Sequence, residues 1–112
     1  MLNEKIIEKI KLNLISLVRY GVDDLAWYRE DALSMIDSIM LDSVGILGGD
    51  VYYLTLEDLN CDYANWSCEP FETETTEEYY LRSKVKALDY IKKYSLNPKK
   101  RIVFSITFTE RF

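Results

Sequence analysis

Apolar residues recur three and four positions apart in several segments of the chain, which is the spacing of an amphipathic helix. The first such segment predicts a helix over residues 3–19, and Gly21 just after it is a stop signal. The second predicts a helix over residues 29–42, whose first turn carries Glu30 and Asp31 where the helix dipole favours acids. The apolar positions of these two helices are Ile7, Ile10, Leu14, Leu17, Val18, Ala32, Leu33, Ile36, Ile39 and Met40.

A third helix is predicted from its start signal. Thr75 and Glu78 have the spacing of a capping box, in which a hydroxyl and a carboxylate satisfy two backbone N–H groups at the helix end. We expect the helix to run to about Tyr94, because Asn97 and Pro98 then break the pattern. Its predicted buried positions are Leu81, Val85, Leu88 and Ile91.

Three other segments have the composition of β-strands. Val51–Thr55 is rich in β-forming residues, and a turn at Glu57–Asn60 leads into a second strand near Cys61–Trp66. Residues 101–109 place apolar side chains at every second position, the period of a half-buried strand. The order is therefore α-α-β-β-α-β. We expect a single α+β domain over residues 1–112, with an antiparallel sheet of three or four strands and helices packed on it.

The composition excludes several kinds of site. The chain has no histidine and only two cysteines, so Ser-His-Asp and Cys-His catalysis lack their imidazole and a structural zinc site lacks ligands. No apolar run approaches about 20 residues, so we expect no membrane span. The N-terminal residues turn charged at once instead of forming a signal segment. We therefore expect a cytoplasmic protein with reduced thiols and no cofactor.

Charge is distributed unevenly along the chain, whose net charge is −5. From Glu30 to Leu81 there are thirteen acidic residues and no Lys or Arg, whereas residues 82–112 carry nine basic and two acidic residues. An acidic region attracts a basic protein partner and disfavours nucleic acid, because phosphate contacts need clustered Lys and Arg. The alternative is a solvated acidic surface that keeps the protein soluble.

Gly48, Gly49 and Asp50 stand together at the predicted start of a strand. Phosphate-binding glycine loops precede a helix, so we interpret this glycine pair as a bulge or as backbone pressed closely against a helix or a partner. Asp50 then either serves a partner or caps nearby N–H groups. Because the carboxylates in this region match no metal-binding loop, we expect no metal site. A hydrolase that uses Asp50 and Asp62 is an alternative.

Residues 63–68 place two aromatic side chains and an amide among acids. Tyr63 and Trp66 in such surroundings have the composition of an interface anchor with a polar rim. The alternative is that Trp66 and Cys68 are core residues.

Three stretches of the sequence resemble the immunity protein 40 family, small bacterial proteins of polymorphic toxin systems. They are GVDDLAWYREDAL at 21–33, ILGGDVY at 46–52 and DYANWSCEP at 62–70. With the Tyr-rich helix and the last strand, the likeness runs from about Gly21 to Phe108. It departs from the family pattern at Tyr28, where Ser or Thr is favoured, so the next helix lacks an N-cap hydroxyl worth about 1 kcal/mol.

The resemblance implies a non-catalytic protein that binds a cognate toxin domain and occludes its active site. The acidic region fits a basic toxin such as a nuclease, because complementary charge speeds encounter. We place the partner-binding surface at Asp50, Asp58, Asp62, Tyr63, Trp66 and Glu69. The alternative is an acidic adaptor or regulatory module without a toxin partner. The sequence leaves the oligomeric state open.

Overall fold

The computed structural model describes residues 2–111, so Met1 and Phe112 of the predicted domain lie outside the described residues. Within that range the chain forms three α-helices, five strands and a short 3₁₀ helix at Val18–Tyr20. The elements in chain order are α1 (Glu4–Lys11), β1 (Ile15–Ser16), β2 (Leu25–Tyr28), α2 (Arg29–Ser38), β3 (Ile46–Leu54), β4 (Leu59–Ser67), α3 (Thr76–Lys93) and β5 (Arg101–Phe108). None of the three helices combines the length and apolarity needed to cross a membrane.

The five strands form one antiparallel sheet with the order β1-β2-β5-β3-β4. The α+β class and the antiparallel sheet are confirmed, and the described residues contain five strands where three or four were expected. The two additional strands are β1 and β2. The last strand in the chain lies at the centre of the sheet, and β4 lies at one edge.

The prediction of the first helix is confirmed over Glu4–Lys11 and is wrong for residues 12–19. Asn3 caps α1 through its side chain, but the helix ends at Lys11 and Asn13 adopts a left-handed conformation with φ of 60°. The chain then turns into β1. Leu17 is fully buried, although in a separate cluster beneath the sheet and not on a helix face. Its helical spacing from Ile10 is therefore a coincidence of two buried elements.

Both faces of the central strand are covered. The helices pack on one face, where Phe104 of β5 lies beside Trp27 of β2 and Val51 of β3. The segment containing Leu17 packs on the other face against Val103. The strand predicted over residues 101–109 is confirmed as β5, but it is not half-buried, because Ile102 through Ile106 are all buried.

The third helix begins with the predicted capping box. The Thr75 hydroxyl accepts from the Glu78 N–H at 3.1 Å, and the Glu78 carboxylate accepts from the Thr75 N–H at 2.9 Å. Its buried face was predicted wrongly at two positions, since Leu81 is 47% exposed and Val85 is 52% exposed. The buried residues are Tyr79, Ser83, Lys84, Ala87 and Ile91.

The second helix, α2, has no side-chain cap at its N-terminus and ends earlier than predicted. Tyr28 occupies its N-cap and makes no side-chain capping bond, as expected for a tyrosine there. The helix ends at Ser38, four residues before the predicted end. The buried ammonium group of Lys84 donates to the carbonyl oxygens of Ile39 and Asp42 at 2.9 and 2.7 Å. This lysine therefore holds the chain that leaves α2, where the helix dipole favours a cation.

Candidate partner-binding surface

The six predicted partner-binding residues follow the edge of the sheet. Asp58 precedes β4 and Glu69 follows it, so the set extends over about 30 Å of nearly extended chain. Asp62, Tyr63 and Trp66 lie within the strand, and Asp50 lies on the neighbouring strand β3. An edge strand leaves backbone groups without a neighbouring strand, which makes it a natural place for another chain to bind.

A two-residue bulge interrupts β4 near its middle. Val51 pairs with Ala64 and Tyr52 pairs with Cys61, so residues 62–63 have no partners on β3. Tyr63 adopts a left-handed conformation with φ of 56°, and its N–H points to the Cys61 sulfur at 3.3 Å. Its side chain is 93% exposed. The bulge therefore directs a large aromatic ring away from the protein.

The other bulge residue, Asp62, is hydrogen-bonded to the residue that ends α3 and to the residue that precedes β5. Its carboxylate accepts hydrogen bonds from the Tyr94 hydroxyl and from the Lys100 ammonium group, the latter at 2.9 Å. These two bonds lower the pKa of Asp62 below its ordinary value, and the bond from Tyr94 has the larger effect. Lys100 also lies 4.4 Å from the centre of the Tyr53 ring. The carboxylate thus has partners within the protein and does not project as a free charge.

Trp66 occupies a core position, the alternative that the sequence left open. Its side chain is 7% exposed and stacks on Tyr90 with ring centroids 4.8 Å apart. The indole also lies over Gly49, where an added Cβ would come within 2.4 Å of the ring. The Trp66 ring therefore supports β4 from the core and is not part of the exposed surface of this strand.

The glycine pair lies inside β3, which begins at Ile46, and not at the start of the strand as predicted. A Cβ at Gly48 would lie 2.2 Å from the Trp66 carbonyl oxygen, and one at Gly49 would lie 2.1 Å from the Ser105 carbonyl oxygen. The close approach of the backbone is confirmed, although it is to the neighbouring strands β4 and β5 and not to a helix as expected. The pair leaves room for its neighbouring strands and for the ring of Trp66.

Asp50 lies on the sheet face opposite the helices, between Asn65 of β4 and Ser105 of β5. Burial raises the pKa of both Asp24 and Tyr52, and the nearby Asp50 carboxylate raises it further. The sequence does not reveal this grouping, because Asp24 lies in the link between the first two predicted helices. The carboxylates of Asp24 and Asp50 are thus close enough to repel each other.

Asp50 and Asp62 do not form a two-carboxylate site. They lie on opposite faces of the sheet, since Asp62 contacts Tyr94 and Tyr94 packs edge-on against the helix-side residue Phe104. Among residues 2–111, moreover, no three acidic or cysteine side chains are grouped closely enough to hold a metal ion. The geometry therefore gives no support to the hydrolase alternative.

The remaining two candidates present exposed carboxylates at the two ends of β4. Asp58 lies in the turn after β3, where its backbone N–H and carbonyl both bond to Thr55. Glu69 lies in the loop before α3, and Arg82 fixes that loop by donating to the Glu69 carbonyl oxygen at 2.7 Å. Arg82 also forms a bidentate pair with Glu74 at 2.6 and 2.8 Å. Both ends of the edge are thus tied to the fold through their backbone.

A separate groove of about 930 Å³ opens where β2 and β5 diverge. Its polar lining includes Asp23, Asp24, Thr107 and Arg111, and none of the six predicted residues lies in it. The predicted surface therefore lies outside this groove.

Comparison with known proteins finds one family model that matches the chain. The family model described as Immunity protein 40 matches residues 16–108, which is most of the chain. No curated protein and no solved structure matches the sequence.

Proposed function

Since the chain belongs to the Immunity protein 40 family, we propose that it binds a cognate bacterial toxin domain and neutralises it by covering the toxin's active site. The family match is the observation that carries this proposal. The protein acts in the cytoplasm by stoichiometric binding, without catalysis and without contact to nucleic acid or membrane.

The edge of the sheet at β4 is the surface that we assign to the toxin. It combines an exposed aromatic ring at Tyr63 with exposed carboxylates at Asp58 and Glu69. Asp50 adds negative potential on the adjacent sheet face, and Asp62 and Trp66 support the strand from within. An aromatic centre with a polar rim is the usual composition of a protein–protein interface.

The acidic character of this edge fits a toxin whose active site is basic, such as a nuclease. Complementary potentials raise the association rate and select against partners of the wrong charge. A toxin that cleaves nucleic acid needs Lys and Arg in its cleft for the phosphates. An acidic edge placed across that cleft would compete with the substrate for the same cations.

The direct test is co-expression with the toxin domain encoded immediately upstream of this protein. We expect restored growth, and a stoichiometric complex in size-exclusion chromatography between this protein and a catalytically inactivated toxin. A matched control replaces this protein with an unrelated acidic domain of similar size. Growth arrest together with separate elution at low salt would exclude immunity against that toxin and would favour the adaptor alternative.

A further inference from the structure

We propose that Tyr63 is the anchor of the toxin complex, a phenol ring that enters an apolar pocket of the toxin domain, and that Asp62 positions this ring without contacting the toxin. The inference rests on the proposed function, because it names the residue through which the edge of the sheet engages its partner.

The first observation is the exposure of Tyr63. All nine tyrosines of the chain lie within residues 2–111, and Tyr63 is the only one of them that is exposed. The others pack at least partly against the protein, and four of them form two tilted ring pairs, Tyr79 with Tyr80 and Tyr90 with Tyr94. An isolated exposed apolar residue is ordinary, but a tyrosine at 93% exposure in the middle of an edge strand contributes nothing to the core. Its ring is available only to a partner.

The second observation is the backbone conformation. Among the described residues, Tyr63 and Asn13 are the two non-glycine residues with positive φ. Asparagine tolerates this region through local hydrogen bonds, whereas a tyrosine there brings its Cβ too close to the backbone. Glycine or asparagine at residue 63 would be more stable. Strain of this kind persists where function requires the side chain.

The third observation is the rigidity of the bulge. The Asp62 carboxylate is bound to both Tyr94 and Lys100, and Tyr94 is itself packed edge-on against Phe104 at 5.6 Å. These contacts join the bulge to the end of α3 and to the residue before β5. A backbone that is fixed before binding loses less conformational entropy when the complex forms, and it limits the directions in which the Tyr63 ring can point. Asp62 therefore acts on the toxin through the position of Tyr63.

A bulge also protects an edge strand from pairing with other chains. That role accounts for two extra residues in β4, but a small or polar residue would serve it as well as a tyrosine. The aromatic ring requires a further reason. Tyrosine is among the residues that contribute most to binding energy at interfaces, usually from the centre of the contact. Tyr63 lies near the centre of the edge that the proposed function assigns to the toxin.

The test measures affinity and stability on the same variants. Tyr63→Gly is expected to weaken binding to the catalytically inactivated toxin domain by about 30-fold or more, as for an interface hot spot. The same variant is expected to unfold at an equal or higher urea concentration than the wild type, because glycine relieves the left-handed strain. Leu56→Gly is the matched control. Leu56 is 91% exposed in the neighbouring turn, and its replacement should leave the affinity unchanged.

A double-mutant cycle tests the positioning role of Asp62. Asp62→Asn should weaken binding by about 5-fold in the wild type and have no further effect in the Tyr63→Gly background. Equal loss of affinity in both backgrounds would show that Asp62 contacts the toxin itself and would overturn its positioning role.

Two results would overturn the anchor, and a third would remove its basis. If Tyr63→Gly binds as tightly as the wild type, Tyr63 is not the anchor and the proposed function stands. If the wild type is a dimer that Tyr63→Gly converts to a monomer, the ring contacts a second copy of this chain instead. If the wild type itself fails to bind the toxin, the proposed function has failed.

Discussion

Gly49 has no side chain because neighbouring atoms occupy the space where one would lie. The Ser105 carbonyl oxygen and the Trp66 ring would both come within 2.5 Å of an added Cβ. The carbonyl belongs to the central strand and the ring is stacked on Tyr90, so neither moves freely. The sequence showed that a glycine pair was needed here. It did not show that the requirement arises from two different neighbours.

Replacing Gly49 by alanine is therefore expected to lower the free energy of unfolding by about 1 to 3 kcal/mol, as for an overpacked core. Urea unfolding measures this change directly. Gly21→Ala is an informative comparison, because nothing lies within 4 Å of its Cβ position and only its φ of 81° opposes the change. That variant should lose about 1 kcal/mol. A Gly49→Ala protein as stable as the wild type would show that the neighbours yield.

Asp58 and Asp62 look alike in the sequence and differ in the structure. The partners of Asp62 are Tyr94 and Lys100, which lie 32 and 38 positions further along the chain. No local pattern relates an aspartate to residues at that distance. Composition could thus single out candidate residues, whereas the division between exposed and hydrogen-bonded carboxylates required the fold.

The hydrogen bonds to Asp62 should make the free energy of unfolding depend on pH. Because its pKa is lowered in the folded state, the contribution is fully present above the unfolded value, near 3.9, and is lost as the pH falls through the folded pKa. Asp62→Asn should therefore be less stable than the wild type by about 1 to 2 kcal/mol at pH 7. The gap should narrow towards pH 3 in urea titrations. Asp58→Asn, the exposed control, should change stability by less than about 0.5 kcal/mol at pH 7. A gap that stays constant down to pH 3 would contradict this assignment.

At the scale of elements, the helices and strands with strong local signals were predicted and the short ones were not. The start of α3, the hairpin of β3 and β4, and β5 follow from capping, turn and alternation patterns. β1 has only two residues and β2 only four, too few for a period to be recognised. The apolar residues around Leu14 continue the spacing of α1, and this hid the turn at Asn13.

The buried face of α3 shows why an apolar pattern alone misplaces a helix. Ser83 and Lys84 are fully buried because each has hydrogen-bond partners: Ser83 accepts from the Ile46 N–H, and Lys84 donates to two carbonyl oxygens. Their burial rotates the helix so that Leu81 and Val85 face solvent. A polar residue whose bonds are satisfied can occupy a core position, and its partners are invisible in the sequence.

The capping box of α3 gives a prediction for the whole element. Thr75→Ala removes the hydroxyl that accepts from the Glu78 N–H and is expected to lower the free energy of unfolding by about 1 kcal/mol. Thr73→Ala is the matched control, an exposed threonine two residues earlier and outside the helix, and should be neutral within about 0.5 kcal/mol. Urea unfolding followed by circular dichroism compares the two. Equal effects would show that the cap does not determine the stability of the helix.

At the scale of the molecule, the thirteen acidic residues of the middle region are spread over several elements. Four belong to α2 and the segment after it, five lie in the loop before α3 and its first turn, and the others lie on or beside the β3–β4 hairpin. The folded chain thus divides a continuous acidic segment of sequence among separate surfaces. Only the part along β4 adjoins the exposed ring of Tyr63. If the toxin binds there as proposed, the position of a charge affects association more than the total charge does.

Charge reversal at two places tests this last point. Asp58→Lys with Glu69→Lys places two cations at the ends of β4, while Glu8→Lys with Asp37→Lys makes the same change of net charge on α1 and α2. We expect the first pair to lower the association rate with the toxin by about tenfold or more at low salt, because steering acts on the approach of complementary surfaces. The second pair should have a much smaller effect. The difference should shrink at high salt, since the Debye length falls to about 3 Å at 1 M. Stopped-flow association at several ionic strengths measures both rates, and equal losses for the two pairs would place the toxin elsewhere than on β4.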